Sequence, residues 1–255
     1  MFRPRIIPVL LLQGNGLVKT IRFKKNGARY IGDPINAVRI FNDLVADELV
    51  FLDISAGPEN RNIELELVEQ IGDEAYMPFS VGGNIRTCQQ IRELLKAGAE
   101  KVVINTAAVE NPDLIREAAQ HFGNQSVIVA VDVKKDILGK YNVFSHGGKR
   151  RTGLDPVSYA KKLEFLGAGE ILVNAMDRDG MMKGYDLELV RIVADAVTIP
   201  VIACGGAGKV GDLASVVKEG HASAAAAGSL FVFHGSRNAV LVNYPEHAAL
   251  LEVFR

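Results

Sequence analysis

Four aspartates stand where apolar runs end, places from which a carboxylate can move a proton or hold a charged ligand. They are Asp53, Asp132, Asp177 and Asp179. An Asp in a loop is more often a turn former or a helix cap, and that is the reading for Asp177. Asp132 differs because it closes the apolar run "SVIVAVD". With period-two alternation, Ser126, Ile128, Ala130 and Asp132 share a face, and the carboxylate points inward. Asp132 is therefore the candidate general acid or base. Lys19 follows the first apolar run and could reach toward a phosphate or a developing charge, although most loop lysines are merely solvated.

Two glycine turns, "GGNIRT" (82–87) and "GGAGKV" (205–210), each close an apolar run and open a helical pattern. Glycine there lets backbone N–H groups approach an anion, and a helix dipole favours negative charge. A plain turn needs glycine too. Two such turns on opposite sides of one mouth suggest a ligand with two phosphates. Asn105 and Thr106 would complete the cradle at Gly83, and Gly228 and Ser229 the one at Gly206 and Ala207. Four runs begin with a charge: Arg5, Glu48, Lys101 and Glu170. Unpaired charges cannot enter a core, so two acids and two bases must neutralise each other there. Spacing alone reads them as a salt-bridge plug; the functional alternative is a gated opening along an axis.

The elements that must position these groups repeat. Short apolar runs start at 5, 48, 77, 101, 126, 170, 200 and 222, separated by amphipathic stretches such as 34–48, 87–100 and 155–170. Eight strands, each followed by a helix, predict a closed parallel (β/α)8 TIM barrel, one domain over 1–255. The rival, a doubly wound sheet, would want GxGxxG after the first strand, which "QGNGLVK" is not. Leu11 and Asp132 hold matching places 121 residues apart, and so do Phe51 and Leu172. The glycine turns lie 123 apart. This is the signature of two half-barrels, about 1–124 and 125–255.

Composition is ordinary for a globular chain of 255 residues, with 48% hydrophobic and 23% charged residues. A net charge of −1 supplies no global field for nucleic acid. The basic runs "RFKKNGAR" (22–29) and "GGKRR" (147–151) fit either solvated loops or mobile loops meeting an anionic ligand. Cys88 and Cys204 fit neither a zinc pattern nor a disulfide framework and read as reduced thiols of a cytoplasmic protein. The five histidines show no metal-ligand spacing, so no metal and no cofactor is expected. "MFRPRIIPVLLL" is too short for a membrane span and reads as a first strand, not a signal.

"RIIP", "DELVFLDI", "FSVGGNI", "GAEKVVINTAAVENP", "VAVDVKK", "GAGEILVNAMDRDGMMKGYD" and "PVIACGGAGK" together resemble the cyclase subunit of imidazole glycerol phosphate synthase. The resemblance runs from Arg5 to about Phe233. It implies a barrel that pairs with a class I glutamine amidotransferase, the glutaminase, docked at its bottom. Ammonia would pass up the axis to a bisphosphate ribonucleotide at the top, where cyclisation, a lyase step of histidine biosynthesis, occurs. Arg5, Glu48, Lys101 and Glu170 then match the ammonia gate, and Lys19 the lysine of the mobile first loop. Gly83, Asn105, Thr106, Asp179, Gly180, Gly206, Ala207, Gly228 and Ser229 match phosphate-binding positions.

Asp132 matches one of the family's two catalytic aspartates. The other, in "IPCLDV", is Leu11 here; "GGGI" has become "GGNI", and "TS" has become Asn174-Ala175. Leucine transfers no proton, and losing half of an acid–base pair typically removes about 10²–10⁴-fold in rate. Nearby Gln13 and Asn15 are poor replacements at neutral pH. The pattern resembles divergent second-copy cyclase-like proteins of surface-polysaccharide pathways. There, ammonia from the glutaminase converts an acetamido group of a nucleotide-linked sugar to an acetamidino group with a sugar amidotransferase. A working histidine-pathway cyclase and a non-catalytic glutaminase-activating scaffold are the alternatives.

Overall fold

In the computed structural model, which describes residues 3–255, the apolar runs become eight parallel strands around one lumen. They are β1 (Arg5–Gln13), β2 (Leu49–Asp53), β3 (Phe79–Gly82), β4 (Lys101–Ile104), β5 (Val127–Lys135), β6 (Glu170–Ala175), β7 (Val201–Cys204) and β8 (Ala224–Ala227). Each pairs with its sequence neighbours, and β8 pairs with β1, so the sheet closes. Met1 and Phe2 of the expected first strand segment lie outside the described residues.

Helices cover the outside because the sequence starts and stops them locally. Asp33 accepts from the Asn36 N–H and Pro34 fills the first turn; Asp155 and Pro156 repeat the arrangement with Ser158. Both features stabilise helix starts. The predicted stretches 34–48, 87–100 and 155–170 become shorter helices, Pro34–Asp43, Cys88–Lys96 and Pro156–Leu166. The residues that follow are spent on turns into the next strand, such as left-handed Gly167.

Alternation along the strands separates two apolar regions. Outward residues such as Phe51, Val81 and Val129 pack beneath the helices. Inward residues fill the lumen: Ile7 and Val9, Val50, Val103, Ile128 and Ala130, Leu172, Ile202, Cys204, Ala224 and Ala226, topped by Leu11 and Leu52.

The segments after β1 and β5 depart from the expectation of irregular mobile loops. Gly16–Ile21 folds back antiparallel on β1, with Leu11 opposite Val18, and pairs in turn with Lys24–Gly32. Tyr141–Ser145 folds back on β5, with Asp132 opposite Phe144, and pairs with Arg150–Arg151. Both hairpins extend the barrel wall beyond the mouth. They approach each other closely: a methyl group placed on Gly148 would stand 2.4 Å from Met176 and 3.2 Å from Phe23.

Candidate functional site

The four charges that open strands meet at the floor of the lumen. Arg5 donates to Glu48 Oε2 at 2.5 Å and to Glu170 Oε2 at 2.7 Å. Lys101 Nζ lies 2.7 Å from Glu170 Oε1 and 3.4 Å from Glu48 Oε1. Cations and carboxylates thus alternate around a closed ring. The Ser80 hydroxyl donates to Glu48 Oε1 at 3.2 Å, adding a bond from β3. Glu48 is almost fully buried while the Arg5 side chain is one-third exposed, so the ring faces solvent through its arginine. Directly above lies the hydrocarbon layer of the lumen.

At the other end, Asp132 is buried on the lumen side of β5. Asn105 Nδ2 donates to Asp132 Oδ2 at 3.2 Å and to the Ala130 carbonyl at 2.9 Å. Burial, helped by the nearby Asp179 carboxylate, pushes the Asp132 pKa up to about 7, against the lowering effect of hydrogen bonds from Asn174 and Asn105. Asp132 can therefore give or take a proton near neutrality. Leu11 and Leu52 complete the same end of the lumen, so hydrocarbon occupies the place of a second strand-end carboxylate.

Lys19 reaches across this mouth from the first hairpin. Its Nζ is 2.8 Å from Asp179 Oδ1 and donates to the Thr20 carbonyl at 3.0 Å. Its stem passes over Gly228, where an added Cβ would meet Lys19 Cε at 3.1 Å. Asp179 therefore brings its carboxylate to Lys19, and its N–H is taken by the Ala175 carbonyl. Gly180 packs against the same hairpin, 2.7 Å from the Thr20 carbonyl if a Cβ were present.

The two glycine turns are not equivalent. At 205–210 the N–H groups of Gly208 and Lys209 are accepted by Asp212 Oδ2, at 2.8 and 3.1 Å. The N–H groups of Gly206 and Ala207 are given to no protein acceptor among the described residues. Gly206 has φ +120°, and a Cβ there would stand 2.3 Å from the Gly184 carbonyl, so only glycine fits. Across the adjacent strand end, Ser229 Oγ is buried without a partner. Together these are unspent donors for an anion.

At 82–87 the N–H groups of Arg86 and Thr87 go to Gln90 Oε1. Thr106 Oγ1 accepts from the His146 N–H at 2.9 Å and lies 3.3 Å from Asn105 Oδ1. Asn84, the residue in "GGNI", has φ +54°, a conformation that glycine and asparagine both tolerate. Its Nδ2 donates to the Arg61 carbonyl, bracing the turn beneath Gly83.

Asp53 points away from the lumen and accepts from the Ser55 and Ala56 N–H groups and from Arg61, which makes it a turn former. Asp177 accepts from the Lys135 N–H and ties the end of β5 to the segment after β6. Sequence reasoning gave two residues at the mouth no part in the site. Asn174 sits opposite Asp132 in the β5–β6 ladder, with a buried Oδ1 that has no partner. The buried Cys204 thiol is pushed up to about 12 by burial and by Asp179, and is inert. The signal for both was inward parity, shared with Glu170 and Leu172 in β6 and with Ile202 in β7. Among the described residues no cluster of three or more His, Cys, Asp or Glu could hold a metal ion, and no helix is long and apolar enough to cross a membrane.

Comparison with known proteins agrees with this architecture. Residues 5–237 match the family described as "Histidine biosynthesis protein". The chain is 48% identical over 246 residues to "Putative imidazole glycerol phosphate synthase subunit HisF" of Leptospira interrogans, covering 96% of both chains. It is also 48% identical to "Putative imidazole glycerol phosphate synthase subunit hisF2" of Pseudomonas aeruginosa, over 96% of this chain and 97% of that one. A third relative, "Putative imidazole glycerol phosphate synthase subunit hisF3" of Vibrio vulnificus, is 46% identical over 96% and 94% of the two chains.

Proposed function

The chain belongs to the histidine biosynthesis protein family, and from that premise we propose that it is the barrel subunit of a two-protein, ammonia-using synthase in which ordinary cyclisation has been lost. Ammonia made by a glutaminase at the floor enters through the ring of Arg5, Glu48, Lys101 and Glu170 and leaves at the mouth beside Asp132. There it serves acetamidino-sugar formation on a nucleotide-linked sugar, with an amidotransferase as third component.

The observation that carries this reading is Leu11, packed at the top of the lumen where a second carboxylate would face Asp132. A cyclase needs one group to accept a proton while another donates, and hydrocarbon does neither. The charged floor and the apolar axis that the reading needs are both present. A lumen lined by Ile, Val, Leu and Ala admits neutral ammonia and rejects ammonium and other ions, which cannot shed their hydration there. Exposed Val45, Tyr76 and Phe165 lie on segments that lead into β2, β3 and β6, at the same end as the ring, and suit a protein partner.

The test is the chain with its glutaminase, and alone with ammonium salt, supplied with the bisphosphate ribonucleotide. We expect glutamine hydrolysis to rise on mixing and no cyclised product in either assay. Leu11→Asp should raise cyclisation at least tenfold above the wild-type background. Robust turnover by the unmodified chain would overturn the proposal.

One observation favours a second reading, a working histidine-pathway cyclase. Asp179 lies close enough to Asp132 to raise its pKa, so a second carboxylate does stand in the mouth. Its pairing with Lys19 at 2.8 Å works against proton transfer. If the wild type does cyclise, Asp179→Asn should abolish the activity.

A further inference from the structure

The hairpin beyond β5 carries a feature that moving ammonia does not use. Phe144 lies opposite Asp132 in the antiparallel ladder, Asn142 opposite Lys134, and Arg151 opposite Phe144 on the next strand. Cross-strand partners share a face of the sheet. Lys134, Phe144 and Arg151 therefore stand on the side that presents Asp132, respectively two residues, one strand and two strands away from it. The other face is different in kind: Val133 and Val143 are buried in the core beneath the helices.

On the Lys134 face the hairpin alone forms an open depression of about 350 Å³, lined by Lys134, Phe144 and Arg151 together with Asp136 and Asn142. That size suits a small-molecule site. Its groups are prepared for an anion attached to a flat ring. Asn142 Oδ1 accepts from Arg151 Nε at 3.0 Å and Nη2 at 2.6 Å, and Asp136 Oδ2 lies 3.3 Å from Nη2. The guanidinium is thereby fixed in place, and its Nη1 keeps no protein partner among the described residues. Lys134 makes no ion pair among the described residues and extends into solvent, whereas neighbouring Lys135 is held by Glu188. Half-buried Phe144 offers its ring between these two cations.

We propose that this hairpin face binds the nucleoside diphosphate portion of a larger substrate. The base stacks on Phe144, while Lys134 and Arg151 beside it hold the diphosphate. The free Arg151 Nη1 donates to a phosphate oxygen, lysine supplies a point charge, and aromatic side chains stack on bases of any identity. The hairpin is also tied to the mouth, since the His146 N–H donates to Thr106 Oγ1 at its far end. The inference rests on the proposed function for the use made of the ligand, while binding rests on the hairpin alone.

Calorimetric titration of the full-length chain, without glutaminase, with UDP, ADP, GDP, CDP and inorganic pyrophosphate tests this. One or more nucleoside diphosphates should bind saturably at one site, at least tenfold more tightly than pyrophosphate. Phe144→Ala and Lys134→Ala should each weaken binding about tenfold, and Phe144→Tyr should retain it. Lys134 is exposed and unpaired, so its variant folds and reads binding directly. Three outcomes overturn the proposal: no saturable nucleotide binding at millimolar concentration, pyrophosphate binding as tightly as the nucleotides, or affinity unchanged in both alanine variants. Cyclisation does not enter this assay, so absent nucleotide binding with absent cyclisation sinks the subsite and leaves the ammonia-delivery reading standing. Nucleotide binding together with robust cyclisation does the reverse.

Discussion

A carboxylate with a pKa near 7 in the folded chain and about 4 in the unfolded chain costs stability whenever it must be charged. For Asp132 the folded state binds the extra proton, so folding is favoured below about pH 4 and that advantage is lost as pH rises toward 7. Asp132→Asn removes the penalty. The variant should melt at the same temperature as wild type near pH 4 and higher above pH 7, by a margin worth a few kcal/mol. Melting curves across that range check it, and a difference that shrinks as pH rises would contradict the buried, proton-sharing carboxylate. Asp132 itself was legible, because an acid at the end of "SVIVAV" can only be inward or wasted. Its setting was not. Asp179 and Lys19 are 160 residues apart in the chain, and nothing local in "DRDG" announces that the carboxylate turns to a lysine rather than to a ligand.

At the level of elements, the barrel strands were legible because parallel strands buried on both faces must read as unbroken apolar runs. The hairpins were not. "GLVKTI" and "KKNGARYIG" mix charge with glycine, and their pairing partners are the exposed ends of β1 and of each other. Buried Leu17 and Lys19 show that even this polar hairpin has an inner side, set by what lies beneath it rather than by its own composition. The glycine turns carry a related lesson. Equivalent in sequence, they differ in what stands beside them, and only the one at Gly206 faces an unpartnered hydroxyl, Ser229. Ser229→Ala should weaken inorganic phosphate binding several-fold, whereas Thr106→Val should weaken it less and instead loosen the second hairpin. Phosphate titrations and amide hydrogen exchange over 141–151 separate the two effects. Equal loss from both variants would argue that the turns are alike.

For the molecule as a whole, the floor ring decides between a passage and a scaffold. Lys101→Ala leaves Glu48 and Glu170 facing each other with only Arg5 between them. Breaking a buried pair by removing one partner costs roughly 3–5 kcal/mol, so some loss of thermal stability is expected. Beyond that, if the ring governs entry, glutamine hydrolysis should continue while its coupling to product formation falls. Intact coupling in a folded variant would favour the scaffold. The ring is also unevenly shared along the chain. Arg5 and Lys101 come from β1 and β4 and Glu48 from the residue before β2, while Glu170 in β6 is the sole contribution of the second half. Cut between β4 and β5, the chain would yield one piece with a surplus cation on its floor and another with a stranded carboxylate. Each fragment is mismatched alone and complementary to the other. The two pieces, made separately, should seek each other out, and added salt should slow their meeting.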